Sequence, residues 1–231
     1  MKVQLWGSLA FISGLMGFSW IIFKPHPQKN PKIWEISTEA KDWHEVYNGY
    51  GSNFFHPDEG VVLEPKPAHS RSETHANLVL VRKTEIHPLK DFVLTAQIST
   101  ERQLRTPKPN PWEVLWFFFN CQPGPNEALK TNYFMIKPNG IEIGKAFNHV
   151  KQKILLTRDQ PRLVLGKTYS ITLIKVGTHI DALVDGIPIL STAAHSLPII
   201  DSPGAIGIYT EDARAHLFDL SILPLNEVSS R

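Results

Sequence analysis

The chain has one cysteine among 231 residues, Cys121, so it contains no internal disulfide and no cysteine-built zinc site. At the exit of the apolar run 114–119, this thiol is expected to pack as a small buried hydrophobe. An excess of one charge is also missing: 24 Lys and Arg stand against 22 Asp and Glu, for a formal net charge of +2, and the basic residues are interspersed. The electrostatic footprint of nucleic-acid binding is absent, and no nucleic-acid partner is expected. Ten histidines are scattered without metal-ligand spacing to one another or to the cysteine, so no catalytic metal and no other cofactor is expected. There is no internal repeat and, from Trp34 onward, no amphipathic helix of useful length.

What is present begins with a hydrophobic stretch from Leu5 to Phe23 (residues 5–23) that carries no charged side chain. It has about the length needed to cross a bilayer core, with Trp6 and Trp20 near its ends, where indoles favour the interface. The bulky segment 19–24 lacks the small residues of a signal-peptide processing site, and no lipobox cysteine follows, so an uncleaved N-terminal transmembrane helix is expected. Ala10 with Gly14, and Ser13 with Gly17, make a small-residue stripe; close approach of another helix and ordinary transmembrane composition account for it equally well. The expected organisation is an anchor at 1–24, a Pro-rich spacer at 25–42 and one folded domain at 43–231.

With 42% hydrophobic and 20% charged residues, the chain can bury one sizeable core. Short alternating segments separated by Pro, Gly, Asn and Asp predict strands at 43–47, 61–64, 76–82, 92–99, 113–120, 132–137, 141–145, 154–157, 169–176, 180–184, 187–190, 205–209 and 215–222. Asp185-Gly186 supplies the positive φ values of a tight hairpin. The expected fold is all-β, an antiparallel β-sandwich of the jelly-roll kind. Alternation puts Tyr133, Met135 and Lys137 on one face of their strand and Phe134 and Ile136 on the other, and a curved sheet would let Gln97, Glu113, Tyr133, Lys137 and Glu142 line one concave surface.

Val184-Asp185-Gly186 and Gly204-Ala205-Ile206-Gly207-Ile208 resemble the closing strands of concanavalin A-like lectin and glucanase sandwiches. The pieces Glu73-Thr74-His75, Asn110-Pro111-Trp112-Glu113 and Lys137-Pro138-Asn139-Gly140 extend the likeness, over about 43–220, to secreted actinobacterial glycosidase-like (3-keto-disaccharide hydrolase-like) domains of unassigned activity. The resemblance implies a sugar-binding sandwich outside the cytoplasm. A positive-inside count, with Lys2 before the span and Lys24, Lys29 and Lys32 after it, argues for the opposite orientation. A structural calcium held by backbone oxygens and Asp or Glu, common in lectin-like sandwiches, is compatible with the sequence.

Candidate ligand-binding residues are Glu73, His75, Gln103, Arg105, Trp112, Glu113, Tyr133, Lys137 and Glu142. Trp112 or Trp116 offers a ring to the C–H face of a sugar, while Arg105, Gln103, Glu113 and His75 suit hydroxyls or a uronate carboxylate. The competing structural reading makes Trp116 and Phe117–Phe119 core, pairs Glu113 with an arginine and turns the chain at Pro109-Asn110-Pro111. Arg71-Ser72-Glu73, Gln103, His75 and Tyr133 imitate in part the residues of jelly-roll polysaccharide lyases, but Thr74 and His75 stand where that motif continues with leucine and arginine. No Glu-x-Asp-x-x-Glu strand motif sets two carboxyls about a glycosidic bond, no catalytic residue is assigned, and Glu211-Asp212 reads as a turn or cation contact. Two functions follow. One is a membrane-anchored, extracytoplasmic carbohydrate-binding sandwich, with glycosidase- or lyase-like activity left open. The other is a non-catalytic accessory subunit of a membrane complex, docking through its anchor and sandwich surface.

Overall fold

A computed structural model describes residues 32–124, 129–147, 151–192 and 197–225. The expected span at 5–23 and the first part of the spacer lie outside the described residues, and among those residues no helix is long and apolar enough to cross a membrane. The strands, in chain order, are β1 (Trp34–Glu35), β2 (Trp43–Asn48), β3 (Ser52–His56), β4 (Gly60–Glu64), β5 (Ala76–Val81), β6 (Phe92–Gln103), β7 (Leu115–Pro123), β8 (Leu129–Lys137), β9 (Gly140–Phe147), β10 (Lys151–Arg158), β11 (Thr168–Val176), β12 (His179–Val184), β13 (Ile187–Ser191), β14 (Ala205–Glu211) and β15 (Ala213–Pro224). A short helix, α1 (Arg82–Ile86), follows β5.

These strands form two antiparallel sheets. One is eight-stranded, ordered β13-β12-β11-β6-β15-β4-β3, with β1 also pairing β15; the other is seven-stranded, ordered β10-β9-β8-β7-β14-β5-β2. The period-2 pattern decides what faces inward. On β6, Phe92, Leu94, Ala96 and Ile98 are buried, and the register sets Leu94 beside Leu173 and Ile222 and Ala96 beside Ile171 and Leu220. From the seven-stranded sheet, Phe119 meets Phe92 edge-to-face across the sandwich, with centroids 5.9 Å apart. Each large side chain fully buried in this way stabilises the fold by about 1.5–3 kcal/mol. The β12–β13 hairpin turns on Asp185 (φ 51) and Gly186 (φ 76), both in the left-handed region that a two-residue hairpin requires.

All thirteen expected strands occur, with shifted ends. The spacer expected at 25–42 contributes to the sandwich, because Trp34 and Glu35 pair with Ile222 and Ser221 on β15. Glu113 precedes β7 rather than opening it, and Arg82 opens α1 instead of closing β5. The expected common surface also needs correction. Tyr133, Lys137 and Glu142 share the outer face of the seven-stranded sheet, where Met135 pairs with Glu142 and Lys137 with Gly140. Gln97 belongs to β6 in the opposite sheet, and Glu113 is buried in the loop before β7.

Candidate functional site

On β7, Phe117 and Phe119 point into the sandwich, so alternation turns Trp116 and Phe118 to the outer face. The register brings Trp116 beside Tyr209 of β14 and Met135 of β8, and Phe118 beside Tyr133. Trp116 packs 4.8 Å from Tyr133 and 5.2 Å from Tyr209, while Phe118 and Tyr209 stack at 4.7 Å and 14°. These arrangements suit the ring quadrupoles and give the outer face a rigid aromatic floor. Gly144 of β9 makes room for it, since a Cβ there would collide with the Tyr133 hydroxyl.

Tyr209, backed by the buried rings of Trp116 and Phe118, forms the floor of a cleft of about 720 Å3. Tyr47 at the end of β2, Tyr50 in the β2–β3 turn and His75 ahead of β5 also line it. Glu45, Lys151, Gln152 and Glu211 add polar groups. Tyr50 is 85% exposed and stands edge-on to the His75 ring, with centroids 5.6 Å apart. The Tyr209 hydroxyl donates to Glu211 Oε1 at 2.5 Å. Burial pushes the Glu211 carboxyl above the ordinary glutamate range; the hydrogen bond from Tyr209 opposes this, and the charges of Asp212 and Glu113 add to it. Burial likewise raises the Tyr47 and Tyr209 phenols, reinforced by the charge of Glu211.

At the His75 end of the cleft stands a buried ionic node. Arg105 donates through Nε to Glu113, through Nη1 to the carbonyls of Ser70 (2.6 Å) and Glu73 (2.5 Å), and through Nη2 to Thr74 Oγ1 (3.1 Å) and Asp212 Oδ2 (2.5 Å). Five contacts occupy the five N–H groups of a guanidinium. Asp212, in the left-handed conformation at φ 42, accepts the His75 backbone N–H at 3.0 Å and donates its own N–H to the His75 carbonyl at 2.8 Å. Burial raises the Glu113 and Asp212 carboxyls, and the Arg105 charge opposes that rise. The Glu73 carboxylate accepts the His69 N–H at 2.7 Å, which holds it below the usual range. The His75 ring bonds the Lys66 carbonyl through Nδ1 at 2.7 Å and faces Glu73 through Nε2 at 3.3 Å.

The nine expected residues thus separate into groups. His75 lines the cleft, and Glu73, facing its ring at 3.3 Å, stands outside the lining. Arg105, expected to offer its fork to a ligand, has every N–H engaged within the chain and serves to hold loops 70–74, 105–113 and 212 together. Glu113 is fully buried against Arg105 and Asn110, and the Gln103 amide donates to the carbonyls of Asn110 and Glu113. Tyr133 and Lys137 both donate to the buried Glu142, at 2.8 and 2.5 Å, in a closed triad beside Trp116. Trp112 is 42% exposed and accepts the Trp116 indole N–H on its carbonyl at 2.8 Å, beside the cleft but outside its lining. Tyr47, Tyr50, Phe118, Tyr209 and Glu211 were not expected; the alternation Gly207-x-Tyr209-x-Glu211 was the available signal for two of them. Among the described residues, no group of three or more His, Cys, Asp or Glu side chains is placed to hold a metal ion.

No family model and no curated protein matches the sequence. Solved structures do match its architecture. A carbohydrate-binding module, CBM66 from Bacillus subtilis, is 11% identical, with 79% of this chain and 95% of that chain covered and a TM-score of 0.58. A protein of unknown function with a galectin-like fold from Bacillus subtilis is 13% identical, covering 83% and 94%, with a TM-score of 0.57. The VIP36 exoplasmic/lumenal domain, in its Ca2+/Man3GlcNAc-bound form, is 10% identical, covering 86% and 90%, with a TM-score of 0.51. Such identities speak to architecture alone. The described chain therefore has the two-sheet fold of the lectin-like, concanavalin A-like sandwiches.

Proposed function

We propose that this protein binds carbohydrate in the outer-face cleft of the seven-stranded sheet, with the sandwich held at the extracytoplasmic side of a membrane by residues 5–23. The observation that carries the reading is the cleft in which exposed Tyr50 and half-buried Tyr47 and Tyr209, backed by the buried rings of Trp116 and Phe118, stand beside His75 and Glu211. A sugar has one apolar C–H face and a rim of hydroxyls, which match a ring surface and convergent polar groups. The Glu211 carboxyl, already bonded on one oxygen by Tyr209, is suited to receive a sugar hydroxyl on the other. The names of the similar structures agree with this reading, one as a carbohydrate-binding module and one with Man3GlcNAc bound.

The test is a glycan array on the full-length protein, followed by calorimetry on the glycans it retains. Tyr50→Ala removes an exposed ring and should weaken binding by roughly 1–3 kcal/mol, the burial value of a large side chain, with melting unchanged. An array without signal sinks the reading. Turnover of a bound glycan in the same experiment would add a glycosidase- or lyase-like activity. A mature protein whose mass places its start beyond Phe23 would remove the anchor. Exposed Phe54 on β3 and Phe218 on β15, in the other sheet, favour as a second reading an accessory subunit docking through that face. Retention of a stoichiometric protein partner on solubilisation, together with a silent array, would select it.

A further inference from the structure

A second cavity, of about 510 Å3, lies along the same outer face. The strands that build the cleft also build this cavity. β2 gives Tyr47 to the cleft and Val46 to the cavity, β5 gives Ala76 and then Leu80, β7 gives Phe118 and then Cys121, and β14 gives Tyr209 and then Ala205. Leu129 of β8 lines both, so the two hollows share a wall and follow one another along the strands.

Their chemistry differs. The second cavity presents carbon from Val46, Leu80, Leu129, Ala205 and the rings of Pro88 and Pro203. Its polar side chains are engaged with protein partners. His44 Nδ1 meets Glu85 Oε1 at 2.8 Å, the Gln122 amide donates to the Ser202 hydroxyl, and the Thr84 hydroxyl donates to the Val81 carbonyl at 2.7 Å. The Cys121 thiol lies against Thr131 Oγ1 at 2.9 Å, and burial pushes its pKa up to about 12, so it behaves as an apolar surface. A sugar ring placed here would give up water from several hydroxyls and face mostly carbon, whereas an apolar group would lose only unfavourable hydration.

We propose that this cavity takes the apolar aglycone of a glycoside whose sugar occupies the cleft. The ligand is then an amphiphile, a sugar carrying an aryl or alkyl group, rather than a bare polysaccharide chain. This inference rests on the carbohydrate reading above and specifies its ligand.

The experiment titrates the full-length protein calorimetrically with methyl and phenyl β-glucosides, β-galactosides and α-mannosides. For the sugar that binds, the phenyl glycoside should be at least about tenfold tighter than the methyl glycoside. Val46→Trp and Pro88→Trp, at partly buried and exposed positions on the cavity wall, should each remove that gain and leave methyl-glycoside affinity in place. Melting curves select whichever variant keeps the parental fold. Equal affinity for methyl and phenyl forms overturns the inference and leaves the sugar reading standing. A phenyl gain that survives both blocking variants also overturns it. Phenyl binding without methyl binding, abolished by the blocking variants, overturns the inference, because the affinity then comes from the cavity with no sugar contribution from the cleft. Absence of binding by every glycoside overturns the inference.

Discussion

Arg105 and Asp212 stand 107 positions apart in the chain and meet at 2.5 Å, with Asp212 fully buried and the Arg105 side chain 2% exposed. The same guanidinium reaches Glu113 and the carbonyls of Ser70 and Glu73. Three loops at one end of the sandwich are thereby fixed to one another. His75 and Glu211, which flank this node in the sequence, project into the cleft from a backbone that the node holds.

Arg105→Ala leaves two buried carboxylates without their cation and should destabilise the fold by about 3–5 kcal/mol, as removal of one partner from a buried ion pair does. Arg105→Lys restores the charge but not five directed N–H groups, so it should recover only part of the loss. Urea denaturation of the two variants and the parent measures both. A near-parental midpoint for the alanine variant would contradict the role assigned to Arg105.

The two neighbouring tryptophans should behave in opposite ways. Trp116→Ala empties a fully buried site between Tyr133 and Tyr209 and should cost about 3–5 kcal/mol. Trp112→Ala removes a ring at the surface and should cost about 1 kcal/mol or less, with glycan affinity retained because the ring lies outside the cleft lining. Thermal melting and binding on both variants check this, and a large loss of affinity in Trp112→Ala would move the sugar site toward the 105–113 loop.

Glu211 carries a pH signature. Because burial raises its pKa in the folded state, the folded chain holds more protons at this site than the unfolded chain between the ordinary value of 4.5 and the raised one. Its stability contribution is complete below 4.5 and is lost as pH rises through the folded value. Glu211→Gln removes the charge and keeps an acceptor for the Tyr209 hydroxyl. The variant should melt above the parent at pH 8, and its advantage should shrink toward pH 4.5. A constant difference across that range would show that the carboxyl titrates normally.

Gly144→Ala tests the packing under the aromatic floor. The new methyl would meet the Tyr133 hydroxyl and the Lys153 carbonyl, the latter at 2.7 Å, and displace the phenol from Glu142. Overpacking of this kind costs roughly 1–3 kcal/mol. Melting temperature reports the loss, and because the new methyl would also collide with the ring carbon Cζ, adding Tyr133→Phe should relieve only a small part of the penalty.

The alternation that announces β6, β11 and β15 in the sequence is the alternation that buries them, which is why the fold is legible there. Two strands escaped for local reasons: β1 is two residues long, and β3 exposes Phe54 where a polar residue would mark its outer side. The cleft was hidden more deeply. Residues 115–119 are apolar at every position, and Trp116 and Phe118 are indeed buried as that pattern implies; what the pattern does not show is that they back an outer-face cleft, which becomes visible only when β14, β5 and β2 are laid beside β7. Polar density misled in the other direction. Arg105, Glu113 and Gln103 read as groups awaiting a ligand, and their partners are carbonyls and a carboxylate brought in from loops distant in the chain.

Among the described residues, strand β10 ends the seven-stranded sheet with one side unpaired, and Lys151, Gln152, Lys153 and Ile154 on it are exposed. A free strand edge is a template for the edge of another molecule, and lysines on it keep such molecules apart. Lys151 also lines the cleft, so the same side chain stands both at the strand edge and at the site proposed for the sugar. Replacing Lys151 and Lys153 with β-branched apolar residues would therefore invite sheet-to-sheet association between copies, and affinity lost in such variants would have to be separated from self-assembly by sedimentation before it could be assigned to the ligand.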